Sequence, residues 1–376
     1  MAPDRCSICR RPFSHQWCQK CEIEAFKRKF RTWTSGNTMI DGMIQDTQLR
    51  AINNLSYLEW IPFENIVQIE YRARGVFSVL YSGIWFEGPR QKWDDIDGYW
   101  LRKGPTECAL KKVENFDQTT SQEYLNNIMR YSQCFQGNYV VDCLGITRDP
   151  NDPPGCYMFV MKLCEENLYK YIDKVRGYIR WSDIVIILRK IIDGLKRIHD
   201  NGLYHGNLHG GNLLIENIPN IPGGVDIRIS DIGLYGPVNK LASDIYGVLP
   251  YVAPEILNGN EYTQASDIYS FGIIMWTLST CMLPFEQDSH DSGLATRIRS
   301  GLRPTITNNT PRAYSTLMKR CWHQDLNQRP DVTELRDIFN NNPILNLNND
   351  RVISERSTVD NRSYIHAFYN GNLINF

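Results

Sequence analysis

The chain has 376 residues, enough for two ordinary domains or one larger domain with appendages. Hydrophobic residues at 42%, charged residues at 22% and a formal net charge of −1 are ordinary globular values, with no overall pull toward nucleic acid or an anionic membrane. No apolar run can span a bilayer, and the opening MAPDRCSICR has no apolar stretch that could act as a secretory signal, so a cytoplasmic protein is expected. In that reducing setting the eleven cysteines are expected as thiols and metal ligands, not disulfides.

The first of them form two hooks, Cys6-x2-Cys9 and Cys18-x2-Cys21. Each is short enough to turn two thiolates toward one ion, and four sulfurs make a closed, structural zinc site. Redox-active or merely buried cysteines are the alternative; His15, between the hooks, is expected at the surface. Phe26, Phe30 and Trp33 then recur at helical spacing among Lys27, Arg28, Lys29 and Arg31. The basic face is read as solvated, with nucleic acid not expected as a partner. Residues 1–35 therefore form a four-cysteine zinc module with a basic amphipathic helix. Residues 36–62 follow as a helical linker, with TSGN as a start signal and Ile40, Ile44 and Leu49 on one face.

From Phe63 the texture is β-branched and aromatic, and after Tyr178 it is helical, a segregation that indicates α+β architecture. Ser182 to Asn201 reads as a helix with Ile184, Leu188, Ile191, Leu195 and Ile198 on one stripe and Gly202 as its stop. Next come His205-Gly206-Asn207-Leu208-His209-Gly210-Gly211-Asn212 and, some twenty residues on, Ser230-Asp231-Ile232-Gly233-Leu234. Here the chain resembles the eukaryotic protein kinases, whose catalytic loop reads H-R-D-x-x-x-x-N and whose metal motif reads D-F-G. Tyr251-Val252-Ala253-Pro254-Glu255 matches the A-P-E block, Ser266-Asp267-Ile268-Tyr269-Ser270-Phe271-Gly272 the helix after it, and Arg329-Pro330 the late arginine that pairs with the A-P-E glutamate. Upstream, Cys108-Ala109-Leu110-Lys111 stands for V-A-I-K, and Ala73 to Leu80 for the glycine-rich loop. The resemblance covers about 63–340 and implies a bilobal kinase fold with a β-rich amino-terminal lobe and an α-helical carboxy-terminal lobe. Gly247 to Tyr251 and Cys321 to Asp325 resemble the tyrosine-kinase-like group; the hooks with WTSGN and LEWIP resemble a lineage-expanded set of fungal kinase-like proteins.

The resemblance implies ATP and magnesium as cofactors. Lys111 would hold the α- and β-phosphates, Asp231 the Mg²⁺ and Asn212 a second metal; Met161 to Cys164 would be the adenine hinge. The departures imply damage. Asn207 replaces the catalytic aspartate, and a neutral amide cannot act as a base. Gly206 replaces the arginine that answers a phosphorylated activation loop, and Val248 a threonine of the same network. Asn127 takes the place of the glutamate partner of Lys111, with Glu123 one turn earlier. Ala73 and Ser78 replace two loop glycines; Gly75 is kept. The expectation is a pseudokinase scaffold or allosteric partner acting through proteins, the alternative a weakly active kinase for Ser/Thr or Tyr. The Asn-rich tail, 341–376, is expected to be disordered up to a short aromatic terminus.

Overall fold

In the computed structural model, which describes residues 5–6, 8–10, 17–74, 78–94, 99–113, 134, 139–152, 156–175, 179–217, 225–232, 246–341, 351–352 and 372–373, the chain forms two compact units that divide between Leu163 and Cys164.

The first unit opens with helix α1 (Gln19–Lys29) and helix α2 (Thr38–Leu49). The TSGN signal works as expected: Asn37 Oδ1 accepts the Met39 N–H at 2.9 Å, satisfying one of the open donors of the first turn. α1 stops at Lys29, so Trp33 falls beyond the helix and the apolar face rests on Phe26 and half-buried Phe30. The strands are β1 (Glu59–Trp60), β2 (Ile66–Arg74), β3 (Ser78–Trp85), β4 (Arg90–Asp94), β5 (Tyr99–Arg102), β6 (Thr106–Val113), β7 (Cys143–Thr147) and β8 (Met158–Lys162). Six of them make one sheet in the order β1-β7-β8-β6-β3-β2; β4 and β5 form a separate hairpin. β1 runs parallel to β7, and the approach is close enough that a Cβ at Gly145 would lie 2.2 Å from the Glu59 carbonyl oxygen. Alternating side chains of the sheet, Trp85, Cys108, Leu110, Leu144, Met158 and Val160 among them, meet Ile61 and Ile66 in one core.

A second core in this unit joins the amino-terminal segment to the strands. Trp17 and Phe26 pack with Ala51 and Tyr57, and Phe30 and Trp100 cover them. Trp17 Nε1 donates to the Ala51 carbonyl at 3.3 Å, and Gln48 Nε2 to that of Leu58 at 2.9 Å. The residues before Phe63 thus share one packed unit with the sheet.

The second unit contains β9 (Glu166–Asn167), α3 (Leu168–Val175), β10 (Ile179–Arg180), α4 (Trp181–His199), β11 (Leu213–Asn217), β12 (Val225–Ile229) and β13 (Tyr246–Gly247). It continues with α5 (Pro254–Leu257), α6 (Gln264–Thr280), α7 (Ser292–Arg299), α8 (Arg312–Cys321), α9 (Val332–Asn341), β14 (Arg351–Val352) and β15 (Asn372–Leu373). The stripe of α4 is buried as its spacing requires, and Gly202, at φ +70°, takes the left-handed turn that ends it. α6 is buried on every side from Ser266 to Thr280, so it is the central helix of the unit. Of the Asn-rich tail, only 342–376 lies past α9, and its described residues 351–352 and 372–373 are both in two-stranded ladders.

Candidate functional site

Asp267, in the first turn of α6 and 1% exposed, organises the loop after α4. Its carboxylate accepts the backbone N–H of His205 at 2.7 Å and of Gly206 at 2.9 Å, and faces His199 Nε2 at 2.9 Å. Gly206 sits at φ +77°, a left-handed conformation that costs a side-chain-bearing residue roughly 1–2 kcal/mol. Two consecutive amides can therefore point at one carboxylate without strain.

His205 is fully buried and held in one tautomer. Its Nδ1 accepts the Asn207 N–H at 3.1 Å, so the proton is on Nε2, which donates to the Ser230 carbonyl at 2.8 Å. Burial lowers its pKa, the nearby Asp267 carboxylate pulling the other way. His209 accepts the Gly211 N–H through Nδ1 at 3.1 Å, and burial, then the neighbouring His205, pushes its pKa down to about 3. Both rings act as neutral struts.

These struts hold the residues singled out from sequence. The Asn207 carbonyl accepts from Asn212 Nδ2 at 2.9 Å; the Asn212 carbonyl accepts from Ser230 N at 2.9 Å and Ser230 Oγ at 3.2 Å. Asp231 follows at φ +60°, a left-handed position that only short polar residues adopt readily apart from glycine. Asn207, Asn212 and the turn at Asp231 are thus laced together within one unit. Val248 is buried, and a Cβ built on Gly247 would lie 3.5 Å from Asn207 Oδ1. Lower in the same unit Arg329 and Glu255 form a buried, two-pronged ion pair at 2.7 Å for each contact, and Arg329 also donates to the Ala265 and His323 carbonyls. The sequence had suggested that pair.

In the first unit Lys111 lies on β6 between Leu80 of β3 and Phe159 of β8 and is 7% exposed. Strand alternation sends Lys112 the other way, where it pairs with Asp152 at 2.6 Å. A merely solvated strand lysine would not be buried, so Lys111 is set apart from its neighbour. Ala73 pairs with Leu80 in the β2–β3 ladder and Ser78 with Val113 in the β3–β6 ladder; Gly75 lies outside the described residues. Met161 is buried on β8 opposite Ala109, and Cys164 Sγ donates to Glu216 Oε1 at 3.4 Å. Glu123 and Asn127 also lie outside the described residues, as does His15.

The four hook cysteines converge, their Sγ atoms all within 4.8 Å of one another. Cys6 and Cys21 are 3.8 Å apart and Cys9 and Cys18 3.5 Å. Four sulfurs about 2.3 Å from a tetrahedral ion stand about 3.8 Å from each other, so the donor set fits a metal; a disulfide would need about 2 Å. Burial, then crowding by Cys9 and Cys18, pushes the Cys21 thiol up, a shift that a cation among the sulfurs would reverse. Directly after the last hook, buried Glu22 pairs with Arg90 at 3.0 Å and accepts from Trp100 Nε1 at 2.8 Å, and the Arg90 guanidinium lies 4.7 Å over the Phe26 ring. Burial raises the Glu22 pKa, with Trp100 and Arg90 opposing.

The family described as protein tyrosine and serine/threonine kinase matches residues 67–339. The chain belongs to this family. It is similar to a probable serine/threonine-protein kinase of Dictyostelium discoideum, 28% identical over 75% of this chain and 28% of the relative. Two Arabidopsis thaliana proteins are also similar: serine/threonine-protein kinase STY46, 26% identical over 61% of this chain and 39% of the relative, and serine/threonine/tyrosine-protein kinase HT1, 26% identical over 57% and 53%. The chain thus spans well under two thirds of each of these relatives. Kinases of this family work with ATP and Mg²⁺. No helix among the described residues is long and apolar enough to cross a membrane.

Sequence reasoning had quoted Asp267 only as part of a motif and passed over His199 and Glu22. An acid in the first turn of an otherwise apolar helix was the available signal for Asp267. For Glu22 there was none, because its partners are about seventy and eighty residues away.

Proposed function

We propose that this kinase-fold protein is a pseudokinase: a signalling scaffold or allosteric partner with a retained Mg·ATP site and a catalytic loop that cannot take up a proton. The observation that carries the reading is Asn207. Its loop has the hydrogen bonds that a working loop needs, through His205, Asn212 and Asp267, yet the side chain at the base position is a carboxamide. Lys111 would hold the α- and β-phosphates, Asp231 and Asn212 the magnesium, with Ala73, Gly75 and Ser78 along the phosphate loop and Met161 and Cys164 at the adenine hinge. Bound metal would supply charge neutralisation of the phosphates; the lysine and the loop supply position. We infer that Cys6, Cys9, Cys18 and Cys21 hold a structural zinc ion, on the fit of their sulfur spacing.

The second reading, a slow kinase, is favoured by the retention of Lys111, Asn212 and Asp231, since a loose transition state depends on position and charge more than on a base. One experiment separates the two. Purified full-length protein with Mg·ATP should stabilise on a thermal-shift titration but label itself or a generic substrate far more slowly than about 1 s⁻¹. Asn207→Asp should raise labelling by roughly 10²- to 10⁴-fold. An unmodified chain that turns over at about 1 s⁻¹ or faster overturns the pseudokinase reading.

A further inference from the structure

Two ladders bring the carboxy-terminal segment onto the second unit. β14 pairs antiparallel with β10, Val352 opposite Ile179 and Arg351 opposite Arg180. β15 pairs antiparallel with β13, Leu373 opposite Tyr246 and Asn372 opposite Gly247. β13 precedes the A-P-E block, and Gly247 borders the catalytic loop, its Cα direction leading to Asn207 Oδ1. Asn372 therefore stands one strand spacing, about 4.8 Å, from backbone that abuts residue 207. An extended peptide at β13 runs beside the position at which a kinase would accept a proton from its substrate.

The two residues paired there, Asn372 and Leu373, carry no hydroxyl. Residues 370–376 read Asn-Gly-Asn-Leu-Ile-Asn-Phe, with no hydroxyl and no charged side chain. Pairing through main-chain groups needs no particular side chain from the guest, which is why a free strand edge accepts extended peptides generally. A two-residue ladder is weak by itself, but the β10–β14 contact upstream fixes the tail to the same unit and makes the second contact intramolecular, at an effective concentration of order millimolar.

We propose that β13 is a docking edge for an extended peptide, occupied in the free protein by the chain's own segment around Asn372–Leu373 as a stand-in that cannot be phosphorylated. This rests on the reading of residue 207 as the catalytic-loop position. For a scaffold, the consequence is a guarded site: a partner peptide that offers a longer strand displaces the tail.

The test compares the full chain with Leu373→Pro, which removes a backbone donor at the ladder while leaving everything before residue 373 intact. Hydrogen exchange at Tyr246 and Gly247 should quicken at least about tenfold in the variant. A fluorescein-labelled synthetic peptide with the sequence of residues 370–376 should bind the variant at least about tenfold more tightly than the unmodified chain, whose own tail competes. Equal exchange in the two proteins overturns the docking. Protection that grows with protein concentration overturns it as well, by assigning the strand to a second copy. Should exchange respond as expected while Asn207→Asp stays inert in phosphotransfer, the docking edge stands and the reading of residue 207 is what fails.

Discussion

Removing the metal proposed for the cysteine cluster should destabilise the whole first unit, not the amino-terminal module alone. The module contributes Trp17 and Phe26, both 4% exposed, to a core completed by Ala51, Tyr57 and Trp100. Each aromatic ring buries roughly 150–250 Å² on folding, worth about 4–6 kcal/mol at about 25 cal/mol per Å² as an upper figure. Losing the module also takes Glu22 away from Arg90 and Trp100, and with it a buried ion pair and an indole hydrogen bond. Total domain stabilities are only about 5–15 kcal/mol, so even a third of this gross loss is felt. A net loss of about 4 kcal/mol lowers Tm by roughly 10 °C for a unit of this size. The assay is thermal unfolding of full-length protein with and without a strong chelator, with metal content measured on the same samples and hydrogen exchange followed at β4, β5 and Tyr57. If the metal leaves, exchange rises only within 17–33, and Tm is unchanged, the packing argument is refuted and the module is a free appendage.

Three other outcomes follow from the geometry. Arg329→Met should cost about 3–5 kcal/mol in urea unfolding because it leaves Glu255 buried without its cation, whereas Arg329→Met with Glu255→Leu should cost clearly less. Stability should fall as pH drops from about 6.5 toward 3: His205 and His209 are neutral when folded with depressed pKa values, the unfolded chain takes up those protons first, and the slope is up to about 1.4 kcal/mol per pH unit for each ring, a slope that His209→Asn should reduce. Lys111→Ala with Asp231→Ala should abolish the stabilisation by Mg·ATP, which at a hundredfold excess over Kd is about 2.7 kcal/mol for the unmodified protein; a surviving shift would place the nucleotide elsewhere.

The kinase fold was legible because its motifs are local and ordered. The stripe of α4, the Asn37 cap and the Glu255–Arg329 pair could be read from spacing or from family resemblance before any packing was known. What stayed hidden depends on contacts between distant segments. The join of Glu22 to Arg90 and Trp100, and the parallel seat of β1 on β7 at Gly145, have no periodicity to betray them. Residues before Phe63 therefore read as a module and a linker, although they share the core of the first unit. The tail read as featureless for the same reason: two short ladders, each of two residues, leave no pattern of alternation in an Asn-rich stretch.

The loop's scaffolding bears on why an asparagine at 207 is tolerated. Its shape is set by Asp267, which takes two backbone amides, by neutral His205, which bridges Asn207 N–H and the Ser230 carbonyl, and by Asn212, which grips the Asn207 carbonyl. Each of these contacts uses the main chain of residue 207 or avoids it; none uses its carboxamide. Aspartate and asparagine have nearly the same shape, so exchanging them changes the charge at this position and leaves those bonds in place. Folding stability and proton acceptance are thereby separated: the loop keeps these bonds whether residue 207 carries a carboxylate or a carboxamide. Had the side chain of residue 207 been a strut of the loop, loss of the aspartate would have entailed loss of the fold around Asn212 and Asp231, and with it the metal site that the pseudokinase reading retains.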